Sequence, residues 1–403
     1  MNERWIIGLS SGSSIDGVDA ALLQVQGTGL QMRLRLEQFV HQPYGRDLRD
    51  MIARAGVGQA GGGRTIGLLH RLVGEAFAAA ARLVLERTGI GAHKVTCVGM
   101  TGHTLWHETE GRYPTNLTLG MADVVAERTG LTVFSDFRNR DLLAGGQGYP
   151  LTIIIDQLLF QQPGEPRALI HLGGLATVLF LPAQPGLRHV LGFHAVPCNL
   201  LLDGLMRRLT SGRESFDAGG KHAVQGRCIE PLVARWLEHP LLRKKPPKNI
   251  PRHEFGEEFL TQATEQVRAM MGNLHDLLCS ASHFVARGIL EAVKRFLPTA
   301  PARVLISGGG ARNGLLWHLL EQGLKPVPLE KIDKYGIPAE ARKAVAFAGL
   351  AALTMDGVPG NVPSATGAQG ARLLGSITPG AAPNWERCLQ WLQPHTTVRA
   401  HAA

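Results

Sequence analysis

The stretch GFHAVPCNLLLDGL, Gly192 to Leu205, runs from an apolar, glycine-bounded segment into an amphipathic pattern and presents a histidine, His194, near the junction. Imidazole titrates near pH 6.5, so a histidine placed at such a strand-to-helix turn is suited to accept a proton at neutral pH. Three glycine turns accompany it. SSGSSIDG (Ser10 to Gly17), HLGGLA (His171 to Ala176) and SGGGARNG (Ser307 to Gly314) each follow an apolar run. Turns of this kind offer backbone N–H groups and hydroxyls to phosphate oxygens, and Asp16 and Asp19 can orient a hydrated Mg2+ beside the first. Glycine for tight strand-to-helix packing explains any one of them, but it is a poor account of all three. A nucleotide held between two lobes needs all three.

Other candidate groups carry less. His103 and His107 stand at i, i+4, which suits a metal on a helix, but their context reads as a polar turn without a third ligand. Asp141 and Asp156 flank AGGQG and either contact sugar or metal or cap a turn. Asp203, on the helix after His194, reads as structural.

The elements that must position these groups follow from the pattern. WIIGLSSGSSIDGVDAALLQV (Trp5 to Val25) and RALIHLGGLATVLFL (Arg167 to Leu181) share one layout, two apolar runs around a Gly/Ser turn, and read as two hairpins of one type. Their recurrence predicts two similar α/β lobes, residues 1–150 and 151–403. TIGLLHRLVGEAFAAAARLVLERTG predicts a helix stopped at Gly89, and KVTCVGMTGHTLWHE a buried strand ending in a polar turn. EEFLTQATEQVRAMMGNLHDLLCSASHFVARGILEAVKRFL has helical period throughout. RVLISGGGARNGLLWHLLEQ reads as strand, turn and helix, ARKAVAFAGLAALTM as a last helix, and the tail ending in AHAA as loose.

The 403 residues, 44% of them hydrophobic, are enough for two ordinary domains with their own cores. MNERWIIGLSSGSS is neither a signal peptide nor an anchor, and no run reaches the roughly 18 apolar residues of a spanning helix. Five scattered cysteines without metal-ligand spacing point to a reducing cytoplasm. The formal charge of +9 permits an anionic partner. The densest basic run, LLRKKPPKNIPR, is broken by Pro246, Pro247 and Pro251 and has no aromatic residue to stack on a base, so it reads as a solvated loop and not as a nucleic-acid site.

Almost end to end, the chain resembles the anhydro-N-acetylmuramic acid kinase family of the actin, sugar kinase and heat-shock ATPase superfamily. The resemblance lies in SGSSIDGVDAAL (Ser11 to Leu22), DFRNRDLLAGGQGYPL (Asp136 to Leu151), LGGLATV, GGGARN (Gly308 to Asn313), AVAFAGLA (Ala344 to Ala351) and PGNVPSATGA (Pro359 to Ala368). It implies an α/β, two-lobed actin-like ATPase (ribonuclease H-like) fold whose interlobe nucleotide cleft closes by hinge motion. It implies ATP and Mg2+ as cofactors, and a reaction in which water opens the 1,6-anhydro bridge of the sugar while O6 takes the γ-phosphate, an aspartate acting as general base. The product is N-acetylmuramate 6-phosphate. By position, Gly12, Ser13, Ser14, Ile15, Asp16, Gly17, Val18 and Asp19 would contact ATP from the first lobe. Gly173, Gly174, Gly308, Gly309, Gly310 and Asn313 would line the cleft from the second, and His107, Gly146, Gln147 and Asn199 would hold the sugar. A homodimer is compatible with the resemblance, although no contiguous apolar stripe argues for one.

The chain departs from the family at the base. The family's FDTGPGN is FHAVPCN here, which puts His194 in the place of the aspartate, and Val196 and Cys198 in place of glycines whose freedom a Cβ would remove. IGDPA has become LGMAD, so Met121 replaces an acid. GSHGQTVRH has become GMTGHTLWH, with Thr101, His103 and Trp106 new. Lys343 stands for a glutamate, and PKSTGRE reads PKNIPRH. Two readings follow: His194 is a working base for a changed substrate, or the sugar side has drifted and the chain binds nucleotide or cell-wall sugar as a sensor or scaffold with weak turnover or none.

Overall fold

The computed structural model describes residues 3–12, 14–56, 58–59 and 62–392. The chain forms two compact units, residues 1–160 with 341–403 and residues 161–340. This differs from the expected division at residue 150: the segment from Ala341 onward belongs to the first unit. The terminal AHAA lies outside the described residues.

In the first unit the strands are β1 (Glu3–Ser10), β2 (Gly17–Gln26), β3 (Arg33–Pro43), β4 (Val95–Thr101), β5 (His103–Glu108), β6 (Thr115–Leu119) and β7 (Val133–Ser135). β1, β2 and β3 form an antiparallel meander, β4 joins parallel to β1, and β7 parallel to β4. A short strand, Ser376–Thr378, pairs antiparallel with β7 and completes the edge. In the second unit β8 (Arg167–Leu172), β9 (Leu175–Leu181) and β10 (Leu191–Pro197) repeat the meander, and β11 (Arg303–Ser307) and β12 (Leu329–Lys331) extend it in parallel from β8. Both sheets therefore place their strands in the order third, second, first, fourth, fifth, with only the second antiparallel to the rest. That is the ribonuclease H-like sheet, and its duplication in one chain is the actin-like fold.

Central strands of such sheets are covered on both faces, which is why WIIGLS and RALIHL are near-continuous apolar runs. On one face of the first sheet, Ile7, Leu9 and Val98 pack with Leu69, Val73 and Phe77 of the helix Gly63–Thr88, which ends at Gly89 in the left-handed conformation. On the other face the backbone of the helix Arg342–Met355 lies directly on the strands. A Cβ added at Gly8 would stand 1.8 Å from the Ala344 carbonyl oxygen, and one at Gly99 would stand 2.1 Å from that of Phe347. Buried ion pairs pin both ends of this helix. Arg342 holds Asp156 through Nε at 2.7 Å and through Nη2, while Asp356 takes two bonds from Arg4 of β1, 2.6 and 2.5 Å long.

In the second unit Ile170, Leu172, Val178 and Phe193 pack with Leu277, Ala281, Phe284 and Val285 of the helix Leu274–Phe296. The long helical run expected over EEFLTQ to KRFL is two helices, Glu257–Ala269 and Leu274–Phe296. Asn273 caps the second by accepting from His275 and Asp276, a local option that competes with continuing the helix. The polar turn expected after β4 is the two-stranded β5–β6 ribbon.

Replacing Gly8 by Ala is expected to lower stability by about 3 kcal/mol, the upper end of overpacking costs, because the helix must move off the sheet. Gly12→Ala, whose Cβ would meet only the Ser14 hydroxyl at 3.5 Å, should stay within about 0.5 kcal/mol of wild type. Urea unfolding of the two variants checks both.

Candidate functional site

In the first unit, the loop between β1 and β2 carries the first glycine turn. Ile15 sits at φ 54, a left-handed conformation that a β-branched residue adopts at a cost of about 1–3 kcal/mol. Tyr44 braces this loop from both ends: its N–H donates to the Asp16 carbonyl at 3.0 Å and its phenol to Ser11 Oγ at 2.9 Å. Ser11 Oγ lies 3.1 Å from His103 Nδ1. Asp19 pairs with His41 at 2.8 Å, yet burial, with Asp16 adding, holds its carboxyl above the usual range. A Cβ on Gly12 would make only an ordinary contact with the Ser14 hydroxyl, whereas one on Gly17 would stand 2.2 Å from the Gln42 carbonyl oxygen; Gly17 serves the pairing of β2 with β3. Val18 is buried in the core, Ser14 is exposed, and Ser13 lies outside the described residues.

The AGGQG loop hangs on Asp141. This fully buried carboxylate accepts from Asn361 Nδ2 (2.7 Å), Thr366 Oγ1 (2.8 Å) and the Gly148 N–H (2.8 Å), which ties the loop to PGNVPSATGA. A Cβ on Gly146 would strike Asp141 Oδ2 at 2.3 Å. His107 donates from Nε2 to the Gln147 carbonyl at 3.0 Å, and burial, then Arg138, holds it below its ordinary pKa. Gln147 Oε1 is buried and meets no donor among the described residues, which leaves it an acceptor for a ligand hydroxyl. Asp141 and Asp156 are thus structural hubs, and no group of three metal-binding side chains exists among the described residues.

In the second unit, the Gly173 and Gly174 carbonyls accept from the N–H groups of Cys198, Asn199 and Leu200, so the second glycine turn satisfies the first amides of the helix Asn199–Leu209. Asn199 Nδ2 donates to the Leu172 carbonyl at 3.2 Å and stands beside the third turn. There Gly308 has φ 88 and a Cβ would be 2.6 Å from the Leu172 carbonyl oxygen; at Gly310 it would meet Leu172 Cβ at 2.8 Å. Only Gly309 is free of such demands, its nearest neighbour being Asn199 Nδ2 at 3.8 Å. Asn313 caps the following helix by accepting from Leu316 N–H.

His194 lies on β10 and is 8% exposed. Its N–H donates to the Lys248 carbonyl at 3.3 Å, and its Nδ1 accepts the Ile250 N–H at 3.2 Å. A backbone N–H can only donate, so Nδ1 holds a lone pair and the ring proton resides on Nε2. Val196 and Cys198 are buried in the core, Val196 against Gly288, and neither has positive φ. Their side chains belong to the second unit's core. The basic run is exposed at Arg243, Lys244 and Lys245, as expected of a solvated loop, but not at Lys248. Lys248 is 4% exposed, donates to the Leu241 and Leu242 carbonyls, and lies over the Phe193 and Phe296 rings; burial pushes its pKa down to about 8.

The family model for anhydro-N-acetylmuramic acid kinase matches residues 4–380. The chain belongs to this family. A curated relative of that name from Gloeobacter violaceus is 36% identical over 381 residues, covering 94% of this chain and 100% of the relative. Another from Trichormus variabilis is 34% identical over 384 residues, covering 93% and 97%. Among solved structures, the activator of the 2-hydroxyisocaproyl-CoA dehydratase from Clostridium difficile is similar at TM-score 0.44 and 13% identity, over 86% of this chain and 93% of that one.

Against the pattern of the anhydro-N-acetylmuramic acid kinase family, two departures take on structural meaning. Met121 is the N-cap of the helix Ala122–Thr129 and supplies no side-chain cap, which an aspartate at an N-cap can. Lys343 lies close enough to Asp19 to pull its pKa down against burial. Sequence reasoning missed Tyr44, His41 and Ile250, which no motif marks. The roles of Asn361 and Thr366 were within reach, because PGNVPSATGA was recognised as a string.

Asp203 adds a pH dependence. Burial, partly offset by Arg207, raises its pKa to about 6. Between about pH 4 and pH 6 the native state therefore binds more protons than the unfolded chain, and stability falls as pH rises through that window. Asp203→Asn should be about 1–2 kcal/mol more stable than wild type at pH 8 and equal to it at pH 3.5, since solvent at the partly exposed carboxylate offsets some of the burial penalty. Met121→Asp should add about 1 kcal/mol through the restored cap. Denaturant titrations at the two pH values read both.

Proposed function

We propose that this chain is an ATP-dependent, Mg2+-requiring cytoplasmic kinase that converts 1,6-anhydro-N-acetylmuramic acid and water to N-acetylmuramate 6-phosphate in the recycling of cell-wall sugar. The observation that carries the proposal is the family match over residues 4–380, joined to a duplicated sheet with glycine turns at its strand ends. The residues present fit the nucleotide: Gly12 and Gly309 leave room that no packing demand of the protein explains. They fit the metal as well, since Mg2+ keeps most of its waters and needs only one or two carboxylates, here Asp16 and Asp19, besides phosphate oxygens. Bound there, the ion would neutralise phosphate charge.

In this reaction water attacks the anomeric carbon, the bond from that carbon to O6 breaks, O6 takes the γ-phosphoryl group and ADP leaves. The protein must position the partners and remove one proton from the water. Gln147 Oε1 offers an acceptor to a sugar hydroxyl. His194 is poorly disposed to take the proton, because with Nδ1 occupied by the Ile250 N–H its Nε2 is a donor. A carboxylate in its place could accept the Ile250 N–H on one oxygen and keep the other as base. The same geometry supports the second reading, a protein that binds nucleotide and cell-wall sugar with little turnover, since a missing general base costs about 10²- to 10⁴-fold.

Incubation of the purified protein with Mg-ATP and the anhydrosugar, followed by mass spectrometry, is expected to show ADP and sugar 6-phosphate forming slowly. His194→Asp should raise kcat by about 10²-fold. No product from either protein, at concentrations where ATP binds, would remove the kinase reading and leave the binding one.

A further inference from the structure

We propose that His103 is a positioning residue of the phosphate-binding loop: by donating from Nδ1 to Ser11 Oγ, it turns the Ser11 hydroxyl proton outward, toward a phosphate oxygen. The inference rests on the kinase reading above.

The argument is a count of hydrogen-bonding capacity. A serine hydroxyl has one proton to give and two lone pairs to receive with. At Ser11 one lone pair is taken by the Tyr44 phenol, 2.9 Å away. Tyr44 is a donor at every accessible pH, since burial holds it above the ordinary tyrosine range and Asp16 and Asp19 act in the same direction. The second neighbour is His103 Nδ1, 3.1 Å away, on an imidazole only 4% exposed. That contact has two forms with opposite outcomes. With the ring proton on Nε2, Ser11 must spend its own proton on Nδ1, and it meets a ligand as an acceptor, which repels phosphate oxygen. With the proton on Nδ1, both lone pairs are filled by donors, and Ser11 has only its proton left to offer.

Position makes this choice consequential. Ser11 precedes Gly12, the glycine of the first turn where an added Cβ would meet only the Ser14 hydroxyl among the described residues, at 3.5 Å. It also stands at one end of the loop that Tyr44 spans through its second bond, to the Asp16 carbonyl. Two donors into one hydroxyl polarise it, so the outward O–H is a stronger partner for an anion than an unassisted serine.

The test is binding of Mg-AMPPNP by calorimetry to the full-length protein, with thermal unfolding measured alongside. His103→Leu is expected to weaken the affinity about tenfold, the scale of one hydrogen bond to a charged group, while Tm and the KM for the anhydrosugar hold. His103→Gln should recover wild-type affinity within about threefold. Ser11→Ala should weaken binding by a similar factor, and Ser11→Ala with His103→Leu should be no weaker than either alone, since both remove one chain. In 15N spectra, the His103 resonances, assigned by their loss in His103→Gln, should show a protonated Nδ1 in the nucleotide complex. Unchanged affinity in His103→Leu, additive losses in the double variant, or a proton on Nε2 in the complex overturns the inference while the kinase reading stands. A wild-type protein that binds no nucleotide overturns both.

Discussion

The contact on which the first unit depends is one between backbones. At Gly8 and Gly99 the carbonyl oxygens of the helix Arg342–Met355 occupy the space a side chain would fill, so the helix lies against β1 and β4 with no intervening layer. Such a contact fixes translation along the strands far more tightly than interdigitated aliphatic chains do. The buried pairs Arg342 with Asp156 and Arg4 with Asp356 repeat that restriction at the two ends of the helix. Buried ion pairs add little net stability, because desolvation offsets attraction, but a wrong register would leave charges unpaired in the core. Glycine notches and ion pairs together specify one position for the helix, and with it the strand ends from which the first glycine turn and Ser11 project.

The second unit achieves comparable fixity around His194 by different means. β10 is held on one side by β9 and, at His194, by the segment from Lys248 to Ile250, which takes the residue's N–H and gives one to its ring. Lys248 anchors that segment from beneath through the Leu241 and Leu242 carbonyls and two aromatic rings. The imidazole is therefore set by its surroundings in orientation and in protonation pattern alike. A histidine is compatible with the fold at this point; what changes is which atoms can take a proton.

Much of this was legible in the residues. The two hairpins, the helix closed by Gly89 and the strand before the triple glycine all follow from period and punctuation, and the repeated hairpin foretold the repeated sheet. The glycines were legible as a set but not one by one. At Gly17, Gly308 and Gly310 a Cβ would collide with protein atoms, at Gly12 and Gly309 it would make only ordinary contact, and that difference exists only in three dimensions. Lys248 was misplaced because a basic run next to prolines reads as solvent-facing, whereas carbonyls and ring faces brought from elsewhere in the chain can satisfy a buried ammonium. The break at Met270 to Asn273 was invisible to period alone, although the Asn273 to Asp276 spacing is a capping signature. The pairing of Ser11 with His103 joins the loop after β1 to β5, far apart in sequence, and no local pattern announces it.

The strand Ser376–Thr378 and the helix Arg342–Met355 come from the far end of the chain, yet they close the first unit's sheet edge and cover one of its faces. During synthesis from the N-terminus, the ribosome therefore releases residues 161–340 as an uninterrupted unit while the first 160 still expose the apolar face around Gly8 and Gly99. The half that begins first finishes last. Its folding waits on translation of the final segment, and until then the nascent chain carries a bare sheet face and an unpaired edge, the surfaces that chaperones bind.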